Sequence, residues 1–147
     1  HDALPISLES LDDVTAIFKA QPEETMLNFL KASIKTNKEE TEDVKKLHQA
    51  YSDGRFEELI PLLEETEQRT LKLVDTKYAK AMSDWLKNDL LIRRNLAWLP
   101  EIRKQSAKQS TLFAVGIAHL PSEKGLIELL RQEGYQVTPE PKVLIWQ

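Results

Sequence analysis

The chain has 147 residues, 41% of them hydrophobic and 30% charged, with a net charge of −4 and no cysteine. That length accommodates one ordinary domain with its own core, and the apolar share is that of a folded chain rather than a disordered one. Interspersed acids and bases leave no footprint for nucleic acid, no apolar run approaches the roughly 18 residues of a membrane span, and disulfides and thiolate metal sites are excluded.

The first residue is histidine, and residues 1–6 (His-Asp-Ala-Leu-Pro-Ile) resemble the translation of a sequencing-adapter tail. Residues 1–7 are therefore expected to be a poorly packed, non-native tail, with native sequence from Ser7 or Leu8 and the chain a fragment. Residues 8–21 read as a strand end followed by a helix. Ser10 and Asp13 have the spacing of a capping box, and Leu11, Val14, Ile17 and Phe18 give the helix a buried face.

Residues 22–107 read as helices only. Pro22 suits a first helical position, ahead of the stripe Met26, Leu27, Leu30 and Ile34. Asn37 with Glu40 offers a cap for a second helix carrying Val44, Leu47 and Tyr51, which Gly54 ends. The mixed charges of residues 38–46 read as a solvated helix face, and His48 among them as structural. Pro61 is expected to kink its segment or start a new helix, and Pro100 to break its own. Leu91, Arg94, Asn95, Trp98 and Ile102 share one helix face, so two strongly polar side chains sit on an apolar stripe and need partners.

Residues 108–147 read as a strand–loop–helix–strand unit. The apolar run at 112–115 suits a buried strand, and Gly116 breaks it. His119 follows, just past the expected strand end, where open α/β sheets place ligand sites. Ser122 is expected to cap a helix over 123–133, Gly134 to end it, and Tyr135 to open the next strand.

The string Gly116-Ile-Ala-His119-Leu-Pro-Ser-Glu-Lys-Gly125, its leucine-rich helix and Gly134-Tyr-Gln-Val resemble the C-terminal signature of the TraB/GumN family, which includes the TIKI metalloproteases. The family pattern has Gly where Ser122 stands. Leu8-Glu9-Ser10 is similar to the family's Leu-Glu-Thr/Ser element, and Arg94-Asn95-x-x-Trp98 to its Arg-Asn-x-x-Trp element. Arg93 occupies a position that is often acidic in the family.

The resemblance implies the C-terminal half of a TraB/GumN-type domain, with metal-dependent hydrolysis, of peptides among other substrates, as its activity. A divalent metal (Zn, Mn or Co) would be held by His119 and Glu9, with Arg94 and Asn95 binding substrate or a developing oxyanion. The expected partners are a peptide or small-molecule substrate and the missing N-terminal half, which would carry a second Gly-x-x-His. An extracytoplasmic location is implied too. Two ligands are too few for a strong site, so metal binding by the chain alone is expected to be weak or absent.

Taken alone, the residues leave alternatives open. His119 is a metal ligand, a general base or a satisfied loop histidine, and Arg94 and Asn95 cap backbone or face solvent. The rival function is a non-enzymatic peptide- or ligand-binding protein. There is no His-Glu-x-x-His, Gly-x-Ser-x-Gly or phosphate-binding glycine loop. The fold expected is α/β: a small, mostly parallel sheet with strands near 5–9, 111–116, 135–138 and 142–146, and a large helical insertion. Glu9, Arg94, Asn95 and His119 are expected to line one concavity at its edge.

Overall fold

A computed structural model describes residues 5–139, without side-chain detail at 37–40 and 56. Its regular elements are α1 (Leu11–Lys19), α2 (Glu23–Asp53), α3 (Leu59–Leu71), α4 (Thr76–Asp84), α5 (Arg93–Ser106) and α6 (Leu126–Gln132). A π-helical segment, Trp85–Ile92, joins α4 to α5, and short 3-10 turns lie at Phe56–Glu58 and Ile117–His119.

The sheet is the principal correction. No strand occurs among the described residues, so the α/β expectation fails there. Residues 5–9, 111–116 and 135–138 carry no strand ladder, and the expected strand at 142–146 lies outside the described residues. A strand exists through its pairing partner, whereas alternation of apolar residues reports only one-sided burial. Here that burial is against helices. Leu8, Phe113 and Val115 pack on a cluster of Trp98, Leu99, Ile102, Leu126 and Leu129, while Ile6 and Leu112 turn outward at 60% and 92% exposure.

A second cluster, Ala32, Leu71, Val74, Met82 and Trp85, forms the core between α2, α3 and α4. Ile17, Met26, Phe29 and Tyr78 pack around it. The Trp85 indole donates to the Ile17 carbonyl at 3.3 Å and meets the Phe18 ring edge-on, which ties α1 to this body. The capping box of α1 forms: Asp13 N–H donates to the Ser10 hydroxyl oxygen at 3.1 Å, and Ser10 N–H to the Asp13 carboxylate at 2.9 Å.

Helix boundaries need three further corrections. The break expected at Asn37 is absent; α2 is continuous over 31 residues until Gly54, whose φ of 74° makes it a left-handed terminator. Helix α5 runs through Pro100, whose missing N–H strands a carbonyl one turn back, beside solvent-exposed Leu96. Helix α6 starts at Leu126 after Gly125, not after Ser122. Ser122 instead holds a φ of 82°, the sole described non-glycine residue with positive φ. Gly134, with φ 91°, ends α6 as expected.

Candidate functional site

Glu9 lies in a bend immediately before the Ser10 cap, so the start of α1 fixes where its carboxylate leaves the chain. It reaches the first turns of α5, where Arg94 and Trp98 sit one turn apart on the same face. Arg94 grips the carboxylate with two nitrogens: Nε donates to Oε2 at 3.0 Å, and Nη2 donates to Oε1. The Trp98 indole adds a third donor to Oε2 at 3.2 Å. A two-pronged guanidinium–carboxylate pair is the strongest geometry available to these groups. Arg94 is braced by a bond from Nη1 to the Leu90 carbonyl at 3.1 Å and by the Trp98 ring, 4.9 Å away.

His119 ends the 3-10 turn that follows the non-helical 110–116 segment. Its N–H donates to the Gly116 carbonyl at 2.9 Å, and its ring lies 4.6 Å from that of Trp98. Nδ1 is 2.7 Å from the Asn95 Oδ1, and Nε2 is 3.4 Å from the Arg94 Nη1. Asn95 is 2% exposed, and its Nδ2 donates to the carbonyls of His119 at 3.2 Å and Lys124 at 2.8 Å. One buried amide thus ties α5 to both ends of the 119–124 loop. Gly125 closes that loop, because a β-carbon there would sit 2.0 Å from the Pro121 carbonyl oxygen.

The electrostatics follow from these contacts. The hydrogen bond from Arg94 lowers the Glu9 pKa below its usual 4.5; burial opposes this, while the charge of Arg94 and the Trp98 indole reinforce it. His119 is held below its usual 6.5, first by burial and then by the neighbouring guanidinium, with Glu9 acting in the opposite sense. The site therefore presents a carboxylate, a guanidinium and a neutral imidazole near neutral pH.

Glu9, Arg94 and His119 open onto a groove of about 650 Å³ walled by residues 5–9 and 110–116. Three of the four residues singled out in the sequence share this concavity. Asn95 does not; it lies behind His119 and reaches no ligand space. Trp98, which the resemblance of Arg94-Asn95-x-x-Trp98 already put near the site, joins it through its indole N–H. Arg93 points away and pairs with Asp89 at 3.0 Å. His48 is exposed on α2.

A divalent metal at a hydrolytic centre takes three or four protein donors. Among the described residues no three histidine, aspartate or glutamate side chains gather as ligands. Glu9 and His119 supply two donors, and the Arg94 guanidinium stands between them, bonded to one and 3.4 Å from the other. A guanidinium fixed there repels a cation, so this arrangement does not fit a metal centre on its own.

A model of the TraB/PrgY/gumN family matches residues 5–139, nearly the whole chain and every site residue described above. No curated protein and no solved structure matches the chain significantly.

Proposed function

Since the chain belongs to the TraB/PrgY/gumN family, we propose that its groove binds a peptide or small ligand bearing a carboxylate or carbonyl group. The observation that carries this reading is the convergence of Glu9, Arg94 and His119 on one wall of the groove. Apolar side chains from residues 5–9 and 110–116 supply contact area, and Arg94 supplies the donors that recognise carboxylate or carbonyl oxygen. Glu9 competes for those donors. A ligand carboxylate takes its place only if it gains enough from the rest of the groove.

Hydrolysis of the bound group is the second reading, favoured by a neutral imidazole at the groove wall. His119 would accept the proton of an attacking water, and Arg94 would stabilise charge developing on the carbonyl oxygen. No step here passes through a metal, because the two donors present do not fit one.

The binding reading is tested by titrating the ¹⁵N-labelled chain with a pool of random hexapeptides, with free or amidated C-termini. Shifts confined to Glu9, the Trp98 indole and His119, and stronger for the free carboxylate, are expected. No shift at millimolar peptide overturns the reading. Titration with Zn²⁺ and Mn²⁺ is expected to give no tight stoichiometric binding, and a tight one-to-one complex would overturn the donor argument.

A further inference from the structure

We infer that Asn95 is a positioning residue: it holds His119 in the tautomer protonated on Nδ1, so that the lone pair of Nε2 faces the groove beside Arg94. The Asn95 amide has only one orientation that satisfies its neighbours. Two carbonyl oxygens, those of His119 and Lys124, lie 3.2 and 2.8 Å from one end of it. Only the NH₂ end satisfies both, since an amide oxygen placed there would face two acceptors. The other end is therefore Oδ1, an acceptor, 2.7 Å from the His119 Nδ1. Nδ1 must carry the proton.

The opposite side of the ring agrees independently. Nε2 faces the Arg94 Nη1 at 3.4 Å, and a guanidinium has donors but no acceptor. A proton on Nε2 would set donor against donor, whereas a lone pair there is complementary. In a neutral histidine the hydrogen bond made by one ring nitrogen decides the state of the other. Here two contacts, from separate residues on one helix, select the same state. The tilted Trp98 ring fixes the plane of the imidazole.

Nearly complete burial gives the lock its strength. Asn95 and His119 are 2% and 6% exposed, so water offers little alternative to the Nδ1 bond. The carbonyl bonds also clamp the His119 backbone, so Asn95 sets both the protonation pattern of the ring and its position. The sequence placed Asn95 among residues contacting a ligand, but the geometry makes its action indirect, through His119. Its functional meaning rests on the proposed groove; the tautomer itself does not.

The experiment is two-bond ¹⁵N–¹H correlation of histidine-labelled protein at a pH where His119 is neutral, with exposed His48 as internal reference. Wild-type His119 is expected to show one tautomer, Nδ1 protonated and Nε2 bare, distinct from the averaged pattern of His48. Asn95→Leu, which keeps the volume but removes the acceptor for Nδ1, is expected to lose the single-tautomer signature. The tautomer pattern separates positioning from mere packing, since packing alone does not choose which ring nitrogen carries the proton. A wild-type His119 protonated on Nε2 overturns the inference whether or not any variant folds, and so does an Asn95→Leu protein with an unchanged His119 pattern. Failure here with ligand shifts intact removes the lock and leaves the groove; correct tautomers with no ligand shifts remove the groove reading and leave the lock.

Discussion

The α2–α3–α4 body and the α5–α6 end each hold an arginine–carboxylate pair between distant parts of the chain, in different surroundings. In the body, Asp43 on α2 accepts from Arg69 on α3, from the Thr66 hydroxyl at 3.2 Å and from Lys46 at 3.5 Å. Its side chain is 6% exposed. Burial is the largest single influence on Asp43 and raises its pKa, but the bond and charge of Arg69, with Thr66 and Lys46, outweigh it and hold the carboxyl below 3.8. At the other end Glu9 leaves a bend ahead of α1, is 18% exposed, and has a groove and a neutral imidazole beside it. Similar chemistry serves adhesion in one place and display in the other. Access makes the difference: helices enclose Asp43, while non-helical segments leave Glu9 and Arg94 reachable.

The comparison breaks most readily at the body core. Met82 is fully buried, and Met82→Ala is expected to cost about 2–5 kcal/mol in denaturant unfolding, while the His119 resonances of the folded fraction stay in place. Movement of those resonances would show that the two ends are not separable. Gly125→Ala is the counterpart at the site. With no room for a β-carbon, the loop must shift and draw the Lys124 carbonyl off Asn95, at a cost of about 1–3 kcal/mol. An unchanged Asn95 side-chain amide signal in that variant would refute the clamp.

Acid separates the two ends next. The pKa of folded His119 lies below its usual 6.5, so the unfolded chain takes up that proton first as pH falls. The stability it contributes is complete above 6.5 and is lost as pH drops through the folded value. The contribution of Asp43 follows the same sign, but its loss begins only near 3.8. Stability measured between pH 7 and 5 should therefore decline in wild type and stay flatter in His119→Gln; equal slopes would place the early loss elsewhere. The smallest effect belongs to Ser122→Gly. Relief of a left-handed serine is worth about 1–2 kcal/mol, less about 0.4–1 kcal/mol for the freer unfolded chain. A net gain of up to about 1.6 kcal/mol in unfolding free energy is expected, and a loss would mean that the serine is held by something more than its backbone.

What was legible in the sequence follows the range of the interactions concerned. Short-range features could be read: the Ser10–Asp13 cap, the glycine ends at 54 and 134, and the burial of Trp98 and Ile102 on one face of α5. The extended segments were misassigned because apolar alternation tells that one side is buried, not what covers it. Phe113 and Val115 found helix faces instead of a neighbouring strand. In the site, Glu9, Arg94 and His119 were identifiable as a set through motif resemblance. Placing Asn95 beside them overlooked helix geometry, since consecutive residues leave an α-helix about 100° apart. With Arg94 turned to the groove, its neighbour turns into the core.

One feature of the connection into α5 bears on how sequence length is tolerated. Through the π-helical Trp85–Ile92 segment the chain is wound loosely enough that the Arg93 N–H bonds the Asn88 carbonyl, five residues back. Such a stretch holds one residue more than an α-helix of the same span needs. Deleting a residue there rewinds the stretch to α-helix over the same span, so α5 keeps its phase and Arg94, Asn95 and Trp98 stay aimed at Glu9 and His119. Deleting a residue from α5 itself, between Asn95 and Trp98, has no such slack and turns Trp98 by about 100° away from Glu9. The loose turns thus act as spare length: a one-residue deletion within them should be folded and keep the site, whereas the same deletion in α5 should lose it.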